Sequence, residues 1–585
     1  MFSFDPEEAA GLPHTNQVNL HELLGDLAAV DIETGAVERL VRRVQLCSYA
    51  LSPDGRKLVW AEASGYDNVS TYQILADLVV YDMDTRMSRR IVTRARLAPH
   101  PFGMLYTWSP TSAAIAFRTN GPVGTRDEVY VVSVDNGEVR RIAHGPGLES
   151  MLRQTPPLWD DAGRNVFFVR GGALWRAAAH DSGAASFVGV PGRSIQAIEH
   201  GVGRLWSPDG GRYTVVMTQD DRTKRVGFAW IDPGSGVVAQ LIEEDKWYDP
   251  AIPPAVTPDG KAVVYSAEDG SHPPNLWLLE AQGRPKTRPL TDVASDIAGL
   301  HGGVAKIIHW RSLDGDTLFG ALIYPVEYEA GRRYPLIVKI YGGRDVSSDV
   351  NRFGFASAPV DNLQLFASRG YAVLLADSRL RLGSPMLDLL KTVVPGVDRV
   401  IELGIADASR IGVMGHSYGG YSTLGLLVGT RRFKAGVVSA GFGDLFAFYG
   451  KLTPDGANSA IPWAEAGQGR MGATPWEAPE RYLENSPFFF LDRVQAPLLI
   501  GHGGADRAVP PHLADQVFVG LRRLGKRVEY VRYEGETHWQ GEWSHRNQID
   551  WLTRTIGWFD RYLKTDTIVP SLGEGVVRRG ALVNP

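Results

Sequence analysis

At 585 residues the chain exceeds what one hydrophobic core holds, and 44% hydrophobic with 22% charged residues marks a globular protein of two domains. The 61 basic and 66 acidic residues leave a formal charge of −5 with no long single-sign run, which excludes a dedicated nucleic-acid surface. The single cysteine, Cys47, excludes an internal disulfide, reads as a small core residue, and fits a reducing compartment such as the cytoplasm.

The N-terminus, from Met1-Phe2-Ser3-Phe4, has no basic segment followed by an apolar one, so no signal peptide is expected. Nowhere does an apolar run approach the roughly 20 residues of a membrane span.

From about residue 26 to 292 the sequence repeats itself. An aromatic or apolar residue, then Ser/Thr-Pro, then polar residues recur at Leu51-Ser52-Pro53-Asp54-Gly55, Trp108-Ser109-Pro110-Thr111, Trp206-Ser207-Pro208-Asp209-Gly210 and Val256-Thr257-Pro258-Asp259-Gly260. A degenerate copy is Trp159-Asp160-Asp161-Ala162-Gly163. Each is followed by an apolar strand such as Lys57 to Trp60, then by an alternating one such as Leu78 to Asp82 or Glu128 to Val132. The turns begin at 52, 109, 160, 207 and 257, a period near fifty that specifies four-stranded β-propeller blades. Leu27 to Leu40, with its turn Asp31 to Gly35, reads as half of a further blade, giving an all-β propeller of about six to seven blades over residues 1–304. Within it, Glu243-Glu244-Asp245 is the densest acidic cluster and is expected to be a solvated loop.

Around residue 305 the rhythm changes to longer strands separated by helix-sized segments. Strands are expected over Leu318 to Tyr324, Leu336 to Tyr341, Ala372 to Ala376, Ile411 to Met414, Gly436 to Ser439, Leu498 to Ile500 and Val528 to Tyr533. Helices are expected over Asp361 to Arg369, Pro511 to Leu524 and Gln548 to Leu563. This alternation specifies a mostly parallel sheet covered on both faces, an α/β domain over residues 305–563, with 564–585 a surface tail.

The chemistry centres on Gly415-His416-Ser417-Tyr418-Gly419, between the strand Ile411 to Met414 and a helix over Tyr421 to Val428. Flanking glycines let strand and helix approach while the serine is held in a tight, exposed turn, the nucleophile elbow of an α/β-hydrolase. In that fold an acid and a histidine follow, each on a loop after a strand, which selects Asp506 and His538. A serine hydroxyl needs His538 as base, and His538 needs Asp506 to fix its tautomer. The candidate oxyanion donors are the backbone N–H of Tyr418 and, from the loop after an early strand, the hydroxyl that Tyr341 could offer in Tyr341-Gly342-Gly343. His416 and His502 read as packing residues. Glu542 and His545 lie at helical spacing from His538 but lack a third ligand, so no metal and no cofactor is expected.

With these motifs in place the chain resembles the prolyl oligopeptidase family of serine peptidases, which pair an N-terminal propeller with a C-terminal α/β-hydrolase domain. The matching text runs through Tyr334 to Val338, Tyr341-Gly342-Gly343, Ser368 to Val373, Asp377-Ser378-Arg379, Ile405 to Tyr421, His502-Gly503 with Asp506, and the His538 loop. It is nearer to the dipeptidyl-peptidase and acylaminoacyl-peptidase branches. The resemblance implies the triad Ser417, Asp506 and His538, the oxyanion donor Tyr341, and a substrate pocket lined by Phe446 and Tyr449. It departs at Ala508, where members often carry Arg or Asn, at Arg344 in place of proline, in a shortened loop after Arg379, and in lacking a paired-glutamate motif. The function expected is hydrolysis of short peptides through an acyl-enzyme on Ser417, with the propeller restricting access and homo-oligomerisation left open. Two alternatives stand beside it: an esterase, acyl-transferase or peptide cyclase using the same triad, and a propeller interaction module with an inert hydrolase domain.

Overall fold

The computed structural model describes residues 24–66, 74–95, 106–120, 126–146, 156–181, most of 186–293, 302–354, 359–452, most of 458–564, and 578–579. Among the described residues five sheets lie between Leu24 and Pro289, of five, four, six, four and five strands, antiparallel except where Trp159 pairs in parallel with Arg204 in the third. The hairpin Leu24–Val30 with Val37–Leu51 joins the first sheet through the second half of its long strand.

Successive sheets bury their faces against each other. Val59 and Leu78 share a core with Tyr106 and Ile115 of the next sheet, and Ala116 and Val129 share one with Trp159 and Phe168. Leu158 and Phe167 then pack with Ile195 and Val216, and Val215 and Phe228 with Val263 and Tyr265. This is the packing of propeller blades, none of which is a closed core alone.

The repeated turn has a physical basis. Ser52 N–H donates to the Lys57 carbonyl (2.8 Å) while its Oγ accepts from Lys57 N–H (2.8 Å), so one hydroxyl clasps the turn between two strands. Ser109 does the same with Ala114 and Thr257 with Ala262. Asp160 substitutes a carboxylate, which accepts from Asn165 N–H at 3.1 Å. The tryptophan preceding the turn reaches back one blade: Trp108 Nε1 donates to the Ala50 carbonyl and Trp159 Nε1 to the Thr107 carbonyl, each at 3.2 Å. The turn at Trp206 to Gly210 lies outside the described residues.

The acidic cluster is corrected in part: Glu243 and Glu244 close a strand, Val238–Glu244, whereas Asp245 follows it and is exposed. Glu243 pairs with Arg193 and Arg225, and Glu244 accepts from Lys246, Tyr248 and Tyr265, so charge pairing holds these carboxylates inside.

From Ala305 the chain forms one mixed sheet. Its strands are β1 (Ala305–Arg311), β2 (Thr317–Ile323), β3 (Tyr334–Lys339), β4 (Ala372–Ala376), β5 (Ala406–His416), β6 (Ala435–Ser439), β7 (Leu498–Gly503) and β8 (Val528–Tyr533). They lie in the order β1-β2-β4-β3-β5-β6-β7-β8, and Arg578–Arg579 adds a short ninth strand at the β8 edge. The first three in that order are antiparallel and the rest parallel. Every residue of β4 and β6 is buried, as a sheet covered on both faces requires.

The helices that matter for the site are α1 (Pro385–Glu402), α2 (Tyr418–Gly429), α3 (Leu445–Tyr449), α4 (Ala460–Glu465), α5 (Pro479–Glu484), α6 (His512–Arg523) and α7 (His545–Leu563). Two differ from expectation. The helix expected over Asp361 to Arg369 shrinks to Gln364–Ala367, because Asp361 is drawn into an ion pair with Lys339 and Gly370 ends the segment at φ 80°. Helix α1 is unannounced because Pro395 and Gly396 fall inside it. The Lys391 carbonyl, which Pro395 cannot serve, accepts from Leu313 N–H at 3.0 Å. Gly396 gives room to Trp310, whose ring carbons would stand 2.7 Å from a Cβ there.

The N-terminal sheets touch this domain through side chains. Arg352 lies 3.8 Å from buried Glu268 and over the Trp247 ring, and Lys224 lies 5.3 Å from the Phe319 ring centroid. Burial pushes the Glu268 carboxyl up to about 7 despite Arg352. No helix among the described residues is long and apolar enough to cross a membrane.

Candidate active site

Strand β5 carries its apolar run through the sheet centre and ends at His416, and α2 begins at Tyr418. Between them Ser417 holds φ 57° and ψ −120°, a conformation unfavourable to a residue with a Cβ. The turn is fixed from both sides: Ser417 N–H donates to the Ser439 carbonyl, and its carbonyl accepts from Gly420 and Tyr421. Its tightness depends on missing side chains. A Cβ on Gly415 would stand 2.2 Å from the Gly419 carbonyl oxygen, and one on Gly419 2.4 Å from that of Ile340.

The loops after β7 and β8 bring the other two groups to the same edge. Ser417 Oγ donates to His538 Nε2 at 2.9 Å, and His538 Nδ1 donates to Asp506 Oδ2 at 2.7 Å. Asp506 Oδ1 accepts from Val509 N–H at 2.8 Å. Burial alone would raise the Asp506 carboxyl, but the hydrogen bonds from His502 and His538 outweigh it and hold the group well below the usual range. It is therefore a carboxylate against His538 throughout the neutral range.

The His538 loop is braced from below. Glu536 accepts from Ser544 and Asn547, and Trp543 Nε1 donates to the Thr537 carbonyl at 2.8 Å. Glu542 accepts from Thr537, and His545 opens α7. No cluster among the described residues could hold a metal ion.

Tyr341 follows β3 and faces Ser417 with its hydroxyl, which donates to Gln468 Oε1 at 3.3 Å. Tyr418 is the first residue of α2, where a backbone N–H has no intrahelical acceptor. The Tyr341 hydroxyl and the Tyr418 N–H therefore lie on either side of the serine, the hydroxyl held by a long bond to Gln468.

His416 is half-buried, with Nδ1 3.3 Å from Ser439 Oγ and its ring 4.9 Å from that of His538. Burial, then the neighbouring His538, lowers it to about 3, so it stays neutral and packs. Phe446 and Tyr449 lie on α3, capped by Asp444, and pack against Tyr482 of α5. The rings around Tyr418 are instead Tyr421 and Trp463, with Phe442 and Phe448 stacked at 4.3 Å behind them. Trp463, Gln468 and Arg470 at this site had no motif to announce them. They sit on and after α4, far along the chain from the elbow, and only tertiary packing brings them in.

Residues 388–566 match the model of the prolyl oligopeptidase family. That match covers most of the C-terminal α/β domain, which is thus similar to this family. The chain is 26% identical over 373 residues to the uncharacterized peptidase YuxL of Bacillus subtilis, covering 61% of this chain and 53% of YuxL. It is 24% identical over 325 residues to dipeptidyl-peptidase 5 of Porphyromonas endodontalis, covering 52% of this chain and 44% of that one. The chain thus spans about half the length of these curated relatives. A puromycin-hydrolyzing peptidase of Mycobacterium tuberculosis shares the fold, with a TM-score of 0.70 at 18% identity over 92% of this chain and 82% of that one. That likeness places the N-terminal sheets in a propeller and the C-terminal sheet in an α/β-hydrolase domain.

Proposed function

We propose that the protein is a serine peptidase that hydrolyses short peptides through an acyl-enzyme on Ser417. The observation that carries this reading is the continuous hydrogen-bonded line from Ser417 through His538 to Asp506 at the end of the elbow. In the first half-reaction Ser417 Oγ attacks the scissile carbonyl carbon while its proton passes to His538 Nε2. Asp506 stabilises the imidazolium that forms. The oxyanion is held by the Tyr341 hydroxyl and the Tyr418 N–H until the C–N bond breaks and the amine leaves with the proton from His538. Water then repeats the sequence on the ester, with His538 again as base, and frees Ser417.

In the same reading the propeller occupies residues 1–304 with about six to seven blades and keeps folded proteins from the 305–563 domain. Residues 564–585 form a tail, Phe446 and Tyr449 border the substrate pocket, and the single cysteine suits a cytoplasmic setting. The chemistry requires no metal or cofactor.

The test is labelling with a fluorophosphonate, followed by digestion of a library of short peptides with free or acetylated amino termini. The wild type is expected to label at Ser417 and cut peptides, and Ser417→Ala to fold normally and lose roughly 10³-fold or more in turnover. A Ser417→Ala variant with near-wild-type rate removes the assignment. Labelling without peptide cleavage would transfer the reading to ester or acyl-transfer chemistry on the same serine.

A further inference from the structure

Two guanidinium groups stand against the tyrosines beside the serine with no acidic partner among the described residues. Arg344, next to the Tyr341-Gly342-Gly343 turn, is exposed and holds its Cζ 5.4 Å from the Tyr341 ring centroid. Arg470, after α4, places its guanidinium beside the Tyr418 hydroxyl and donates from Nη1 to the Gln468 carbonyl at 3.1 Å. The Tyr341 and Tyr418 rings meet edge to face with centroids 6.0 Å apart, and the Tyr341 hydroxyl reaches Ser417. Both cations thus border the pair of tyrosines that flanks Ser417.

The chain makes room for this arrangement. A Cβ on Gly343, whose φ is +73°, would stand 2.7 Å from both Arg470 Nη1 and Nη2. Arg470 itself holds φ 53°, a costly conformation for a residue with a Cβ. Nearby arginines are neutralised: Arg379 pairs with Asp316 at 2.9 Å and Arg381 with Asp388 at 2.6 Å. Among the described residues no ion pair joins Arg344 to the adjacent Asp345, and the acids near Arg470 are engaged elsewhere: Glu465 accepts from Tyr449 and Glu477 from Thr474. Two like charges brought together without a counter-ion repel, and an anion entering between them relieves that repulsion while gaining planar, charge-assisted hydrogen bonds.

We propose that Arg344 and Arg470 form a carboxylate-binding subsite beside Ser417, so that the favoured substrate is a peptide with an acidic side chain or its own C-terminal carboxylate near the scissile bond. This rests on the peptidase reading above and names its substrate class.

The test uses matched peptides that differ only in Glu against Gln at each position around the cut, each with a free or an amidated C-terminus. For the wild type, kcat/KM should favour the carboxylate-bearing member about tenfold. The preference should shrink at about 0.5 M salt, where screening acts over a few Å. It should fall toward unity in the Arg344→Gln/Arg470→Gln double variant and partly return with Arg470→Lys. A Glu preference indifferent to amidation assigns the side chain, and the reverse assigns the terminus. Calorimetric binding of the same peptides to Ser417→Ala reads the subsite independently of turnover. Equal kcat/KM or equal binding for Glu and Gln, free and amidated, overturns the subsite, as does a preference undiminished in the double variant. Absence of labelling at Ser417 would instead strike the peptidase reading, and calorimetry would still decide the subsite.

Discussion

His502 Nε2 stands 3.2 Å from Asp506 Oδ2, the same oxygen that accepts from His538, and 2.7 Å from the Val509 carbonyl. Both His502 and Asp506 are buried, so His502 clamps the two ends of the loop that presents the acid. Its role is to position Asp506 rather than to meet substrate. His502→Leu is expected to lower kcat by about tenfold with little change in KM, and to shift the acidic limb of the pH–rate profile as Asp506 loses a partner. Unchanged kcat and an unchanged profile would reduce His502 to packing.

Tyr341 offers a cleaner test because only its hydroxyl is at issue. Its ring packs against Tyr418 and under Arg344, contacts that phenylalanine keeps. Tyr341→Phe is expected to cost about 10² to 10³ in kcat at nearly constant KM, since an oxyanion donor acts on the transition state. An effect of only a few-fold would leave the Tyr418 N–H as the working donor.

Gly415→Ala probes the elbow's geometry. The added methyl would lie 2.2 Å from the Gly419 carbonyl oxygen and 2.4 Å from its carbon, both backbone atoms at the start of α2. Neither can yield without moving Ser417. A loss of about 4 kcal/mol or more in stability is expected, or a folded protein unable to react with a fluorophosphonate. Wild-type melting together with wild-type labelling would show that the strand–helix crossing is looser than these distances require.

The parts of this architecture written in short-range terms were legible in the sequence. Ser52, Ser109 and Thr257 clasp their own turns within five residues, so the blade period surfaced as a motif. The elbow was readable because close backbone approach demands glycine at 415 and 419. Long-range compensation was not readable. Helix α1 contains Pro395, and the Leu313 N–H that serves the orphaned Lys391 carbonyl comes from the turn after β1. Glu243 and Glu244 looked solvated because Arg193 and Tyr265, which hold them, lie 50 and 21 residues away. Trp463, Gln468 and Arg470 reach the tyrosines beside the serine by the same kind of distant packing.

The last prediction concerns stability. Asp377, at the end of β4, is 2% exposed and accepts from Ser347 N–H and Ser347 Oγ, each at 2.7 Å. Burial, then the negative charge of Asp345, pushes its carboxyl up to about 7, against the lowering from the Ser347 hydrogen bonds and from Lys224 of the N-terminal sheets. The folded chain therefore holds this proton to higher pH than the unfolded chain, whose value lies near 3.8. The group's favourable contribution is complete below the unfolded value and is lost as pH rises through about 7, where the buried carboxylate must ionise. Asp377→Asn keeps the shape and can still accept from Ser347 N–H, but it cannot ionise. The stability of the variant relative to wild type is expected to improve by on the order of 2 kcal/mol between about pH 5.5 and 8.5, read from paired denaturation curves. A difference that stays constant across that window would mean that the Ser347 hydrogen bonds, not burial, set the charge state of Asp377.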